Sequence, residues 1–267
     1  MSKRSIAGMF LVMLTAYLAG LVIFLPPERL QGWSGSIIGD RLTWKELALG
    51  WEGVRLNKLR VNPPIFHPDR EIDSLLLSPR FLPLFVGRLA LGYDLGLDIL
   101  RLTGEASWNG REARLEWQNR MEELSKLATL WLGPLGAEIR GKGEGTGWLA
   151  ATTQPPQSVE SGEWETRLQG LTAFGAKIDP MTFNGRIKEK NVMEITVAGK
   201  GDIAVSGKIT LKITLPNPQA GPVSGELQIQ PLKTNLPGMA GQFLARGQAV
   251  RLVLSGTLEN LQWRMAQ

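Results

Sequence analysis

The sequence predicts a mainly β protein: a long, curved antiparallel sheet, closed into a half-barrel or left as a groove, with one or two short helices and one N-terminal transmembrane helix. Three observations lead there. Alternation of apolar and polar residues with period 2 dominates the chain after Pro27. Turn-forming pairs such as Asn109-Gly110 and Asn217-Pro218 punctuate that alternation. An uncharged run of 20 residues, Ile6 to Leu25, lies near the start.

As a helix, Ile6 to Leu25 would span roughly 30 Å, the thickness of a bilayer's hydrocarbon core. A cleaved signal peptide has a shorter apolar stretch, about 7–15 residues. Cleavage after Ala19 would also leave Tyr17 where a small residue is needed. The expected order is therefore a cytoplasmic N-terminus (1–5), an anchor (6–25) and, across the membrane, a β-rich domain (26–267). Lys3 and Arg4 favour that orientation, and Pro26 and Pro27 stop the helix at the interface.

The first strong ribbon follows a break at Pro79 and Pro83. From there Leu89, Leu91, Tyr93, Leu95 and Leu97 point one way, and Arg88, Ala90, Gly92, Asp94 and Gly96 the other. The second ribbon places Ile203, Val205, Gly207, Ile209, Leu211, Ile213 and Leu215 on one face. At about 3.4 Å per residue it predicts a strand roughly 44 Å long. Shorter runs recur: Phe183 to Ile187 turning at Glu189-Lys190-Asn191 into Met193 to Val197, then Val223 to Ile229, Val250 to Leu258, and a last run ending at Trp263. Gly199-Lys200-Gly201 reads as a further turn, and Asn109-Gly110 joins two strands in a hairpin. One helix is predicted over Arg120 to Leu132, with Met121, Leu124, Leu127 and Trp131 at helical spacing and Glu122-Glu123 suiting its N-terminal dipole. Another is predicted near Gly238 to Ala245. The stretch QPPQSVESGEW, 154 to 164, is the best boundary candidate and divides two half-repeats, 26–153 and 164–267, of one continuous sheet.

The composition narrows function by exclusion. With 43% hydrophobic residues the chain can bury a core. The net charge of +5 is modest and its basic residues are scattered, so no nucleic-acid stripe forms. Without cysteine there are no disulfides and no thiolate metal sites. The single histidine, His67, lies beside Asp69 in a proline-rich loop, with no nucleophile motif to serve. Glu122-Glu123 and Asp69 read as solvated carboxylates, and no metal-ligand spacing is present.

GKGEGTG, Gly141 to Gly147, fits neither the dinucleotide nor the P-loop pattern. Its glycines alternate in phase with Ile139 and Leu149, which puts them on one face of a strand. A bare face lets a bulky side chain, a backbone or a ligand approach, or lets the sheet bend, and bending is the favoured reading. Trp33, Trp44 and Trp51 suit either a membrane interface or a core.

An N-terminal anchor, Gly- and Trp-studded strands (LTWKELALGWEGVRLNKLRV, LTGEASWNGREARLEW), the Leu82-Pro83-Leu84 bend with Gly87-Arg88-Leu89, and the closing LPGMAGQFLARGQAVRLVLSGTLENLQWR together carry a resemblance. The chain resembles the type II secretion system protein N family and, more distantly, the AsmA-like envelope proteins. The resemblance implies a periplasm-facing inner-membrane protein of a diderm bacterium, accessory to the machine that exports folded proteins. It implies an extended curved sheet and no catalytic residues or cofactor.

The expected function is thus a non-catalytic accessory component of type II secretion, partnered by the inner membrane and other secretion-system subunits. The alternative is an AsmA-like module that binds or transfers lipid in an apolar groove. In either case Leu89, Leu91, Tyr93, Leu95 and Leu97, with Ile203, Val205, Ile209, Leu211, Ile213 and Leu215, are expected to line one continuous apolar face.

Overall fold

The structure is a computed structural model that describes residues 42–61, 71–215, 220–233, 235–236, 248–257 and 260–266. The expected anchor, His67, Trp33, the Asn217-Pro218 turn and the second helix near Gly238 lie outside these residues. Among the described residues the fold is mainly β, with 15 strands in one open antiparallel sheet. The strands neighbour one another in chain order, except that β1 (Leu42–Thr43) and β2 (Glu46–Gly50) both pair with β3 (Gly53–Val61). β4 (Ile72–Arg80), β5 (Leu89–Leu97), β6 (Leu100–Trp108) and β7 (Glu112–Met121) follow. Next come β8 (Ile139–Thr152), β9 (Ser158–Ala173), β10 (Ala176–Glu189) and β11 (Val192–Gly201). β12 (Ile203–Lys212), β13 (Pro222–Pro231), β14 (Val250–Thr257) and β15 (Leu261–Ala266) complete the order.

Contacts divide the chain into two compact units. In the first, which holds β1 to β3, most of β4 and Tyr93–Leu97, a small core forms around Leu56, Leu59 and Ile72. Trp44, Leu47, Val54, Leu75, Leu95 and Leu97 pack against it. Of the tryptophans read as interfacial or core, Trp44 joins this core, whereas Trp51, in the β2–β3 turn, is 95% exposed.

The second unit holds Arg80–Gly92 and everything from Asp98 onward. One helix is described, α1 (Leu124–Leu132), and a 3-10 turn, Gly133–Glu138, leads from it into β8. The helix starts four residues later than its periodicity suggests, because Met121 remains in the sheet, paired with Leu100 and Gly143. Leu124 and Leu127 then turn onto the core. The Pro-rich stretch from 154 is the turn of the β8–β9 hairpin, whose strands pair from Thr152↔Ser158 to Ile139↔Ala173. At Asn109-Gly110 the expected hairpin forms: the Asn109 side-chain oxygen accepts the N–H groups of Arg111 and Glu112. Gly110 supplies the left-handed φ of 92° that the turn needs.

Two turns tie strands that are distant in sequence. Asn191, in the β10–β11 turn, has φ 61° and exchanges backbone and side-chain hydrogen bonds with Val159. Its carbonyl also accepts the Ile213 N–H at 2.7 Å. Beyond Lys212 the neighbouring strand β11 has ended, since Lys212 pairs with its first residue, Val192. The long ribbon therefore stops being a strand there, and Ile213 continues on that one bond. At the opposite end of these strands, Asp202 alone makes the β11–β12 turn, and Gly199 to Gly201, expected as the turn, stay in β11. The Asp202 carboxylate accepts the Lys177 N–H at 2.9 Å and pairs with the Lys233 ammonium at 2.5 Å.

Candidate functional site

Across the second unit the register is so regular that each sheet face can be read row by row. One row, perpendicular to the strands, runs Gly104, Trp117, Gly147, Trp164, Gly185, Ile195, Ile209, Gly225, Leu254, Trp263. A second row on the same face, four residues further along each strand, runs Leu100, Met121, Gly143, Leu168, Met181, Gly199, Val205, Ile229, Val250. Glycines recur beside large side chains, so the bulk of one strand occupies the bare position of the next. A Cβ on Gly147 would meet the Trp117 ring and the Trp164 Cβ, each at 2.5 Å; one on Gly185 would run into the Trp164 indole. The bare face of β8 is thus filled by close side-chain approach from β7 and β9.

The same face carries two clusters. Leu124, Leu171, Ala176, Ile178, Val197, Ile203 and Val205 form the larger, and Ile209 packs against it. Val159, Ile187 and Met193 form the smaller, where Leu211, Ile213 and Leu215 pack. All six expected residues of the second ribbon therefore contribute to these two clusters. The first ribbon behaves differently: Leu95 and Leu97 serve the separate core around Leu59, Tyr93 is half-buried, and Leu89 and Leu91 are exposed. Burial pushes the Tyr93 phenol above its usual range.

The opposite face is polar and laced with ion pairs: Arg114–Glu116 at 2.8 Å, Arg186–Glu163 at 3.2 Å, Lys208–Glu194 at 2.5 Å, and Arg251–Glu226. Arg114 also lies 4.5 Å over the Trp148 ring. The Lys208 hydrogen bond chiefly holds the Glu194 carboxyl below its usual range. A groove of about 770 Å³ opens on this face by Arg101, Arg120, Glu144 and Arg167. Its charges are of both signs, and Arg120 and Arg167 are engaged with Glu122 and Glu165. No group of three or more His, Asp or Glu residues is placed to hold a metal ion among the described residues.

Among the described residues of this unit, exposed apolar side chains cluster at two places. The 3-10 turn Leu82–Val86 and its flanks expose Phe81, Leu82, Phe85 and Val86 between Arg80 and Arg88, and Leu89 just beyond. The last strand exposes Leu261, Trp263 and Met265, at 47%, 65% and 56%. Alternation marks these three residues as one face of a strand. Their exposure has no local signal, because it depends on β15 standing last in the order of the described strands. No protein-family model, curated protein or solved structure matches the chain.

Proposed function

We propose that this protein is a non-catalytic accessory component of a type II protein secretion system. In this reading it is anchored in the inner membrane with its sheet in the periplasm, and it works by docking other subunits. The observation that carries the reading is the apolar face ending in three exposed side chains on an edge strand, a surface suited to a partner's apolar patch. The resemblance to the protein N family names the setting. Crosslinking in native membranes, with a photoreactive residue at position 263, tests it. Adducts with secretion subunits are expected; their absence, with export unimpaired in the deletion strain, overturns the proposal.

A second reading, an AsmA-like lipid-binding module, draws on the exposed Phe81–Val86 segment. Its apolar side chains flanked by two arginines suit the interface of an anionic bilayer or a lipid headgroup. Mass spectrometry of organic extracts of the purified protein separates the two, since co-purifying lipid is expected only here. Leu91→Asp and Leu211→Asp sharpen the comparison. Leu211 packs in a cluster, so its charge unfolds the unit, whereas Leu91 is 37% exposed and its charge lowers binding while sparing the melt. Two folded variants with undiminished lipid and partner binding would refute both readings.

A further inference from the structure

We infer that the edge of β15, with which no other described strand than β14 pairs, joins β15 of a second copy, antiparallel and two-fold symmetric, with Trp263 on the axis. The hairpin that joins β14 to β15 fixes which backbone groups the edge leaves open. Thr257 and Asn260 exchange both of their N–H···O bonds, at 3.3 and 3.1 Å. Hydrogen-bonded pairs alternate with non-hydrogen-bonded ones in an antiparallel ladder. With the register Gly256↔Leu261, Ser255↔Gln262, Leu254↔Trp263 and Leu252↔Met265, the residues bonding inward to β14 are Gln262, Arg264 and Ala266. Leu261, Trp263 and Met265 direct their N–H and C=O groups outward. These are the same residues whose apolar side chains are exposed. The edge also lacks the usual protections, for β15 contains no proline, no register shift and no charge on its apolar face.

Symmetry and charge select the partner and the register. In antiparallel pairing, residues directly opposite share a face, so a two-fold pairing of β15 with itself keeps apolar against apolar only when the axis passes through a residue. An axis at Trp263 sets Trp263 against Trp263 and Leu261 against Met265. All three outward-directed residues then exchange both hydrogen bonds, and Gln262 faces Arg264 on the polar side. An axis at Gln262 leaves Met265 unpaired, and one at Arg264 opposes two guanidiniums at the close, non-hydrogen-bonded spacing. Only the Trp263 axis satisfies every open group without opposing like charges. It also continues the apolar face across both copies. This inference uses only the geometry of β15 and stands whether or not the secretion reading holds.

The absence of cysteine makes the test direct. Gln262→Cys and Arg264→Cys variants of the full chain are purified separately, then oxidised alone and as a mixture. With the axis at Trp263, positions 262 and 264 of different copies are about 4.5 Å apart at Cα, within disulfide reach. The mixture should give several-fold more disulfide-linked dimer than either variant alone. As much dimer from Gln262→Cys alone, or from Arg264→Cys alone, as from the mixture would overturn the register; no dimer in any tube would overturn the pairing. Adding Trp263→Lys to both variants puts two ammoniums on the axis. It should abolish the cross-link while the thermal melt stays put, because Trp263 is mostly exposed. A cross-link that survives this change would also overturn the proposal.

Discussion

Replacing Gly147 with alanine tests whether the apolar face is interlocked as described. The new methyl would sit 2.5 Å from the Trp117 Cζ2 and 2.5 Å from the Trp164 Cβ. Carbon atoms in contact prefer about 3.5–4.0 Å, so the methyl is squeezed from both sides by roughly an ångström. Trp117 is on β7 and Trp164 on β9, both paired with β8, and the Trp164 Cβ moves only with its backbone. Overpacking of this kind costs about 1–3 kcal/mol. Against it stands the gain of about 0.5–1 kcal/mol from removing a glycine within a strand. Taking the middle of each range, the net expectation is a loss of about 1 kcal/mol, or about 2–4 °C in Tm for a chain of this size. Urea unfolding followed by tryptophan fluorescence, with a circular-dichroism melt, measures both. Two controls bracket the result. Gly50→Ala meets nothing within 4 Å and should be neutral or slightly stabilising. Gly143→Ala meets chiefly the ends of Met121 and Leu168, which can swing aside, and should cost less. In a Trp117→Leu background the Gly147→Ala loss should shrink, since the two sites couple. Gly147→Ala at wild-type stability, beside a well-behaved Gly50→Ala, would refute the interlocking.

Asn191→Gly keeps the left-handed φ but removes the oxygen that accepts the buried Val159 N–H at 2.7 Å. It should cost about 1–3 kcal/mol in chemical denaturation, and Asn191→Asp, which retains an acceptor, should cost less. Asp202 is held below the usual carboxylate range first by the Lys233 hydrogen bond and then by the Lys177 backbone N–H. Its native pKa being lowered, its contribution is fully present above the ordinary carboxylate range and is lost as pH falls through the lowered value. Melts from pH 7 down to acid should therefore show a shallower loss in Asp202→Asn than in wild type; parallel curves would count against that linkage.

Much of this sheet was legible because a half-buried strand must repeat with period 2, and β11 to β13, with β10 from Met181 to Ile187, do so without conflict. The β8 glycines were legible as one face of a strand. Their use was not, because the side chains that fill the space come from Trp117 and Trp164 on neighbouring strands. Gly199 to Gly201 read as a turn because glycine is the commonest turn signal. In place they lie beside Met181 and the Lys177 carbonyl, where a side chain would collide. Met121 fits the helix that follows it, yet its pairing with Leu100 and Gly143 holds it in β7. Such outcomes are decided by tertiary pairing, which local periodicity does not carry.

The distribution of apolar surface separates stability from binding. Between Asp202 at one end of the central strands and Asn191 at the other, the apolar face is occupied by the protein's own side chains in two clusters. A charge introduced there meets packed neighbours and is felt as lost stability. Exposed apolar residues in this unit instead concentrate in Phe81–Leu91 and on β15, together with Trp108, Leu115 and Leu232. Substitutions on β15 remove little buried area from the folded chain, so their effect on Tm should be small while their effect on association is large. Val205 and Trp263, both apolar positions on the same face of one sheet, therefore belong to different experiments. The first, 7% exposed, reports on folding, and the second, 65% exposed, reports on what the sheet meets.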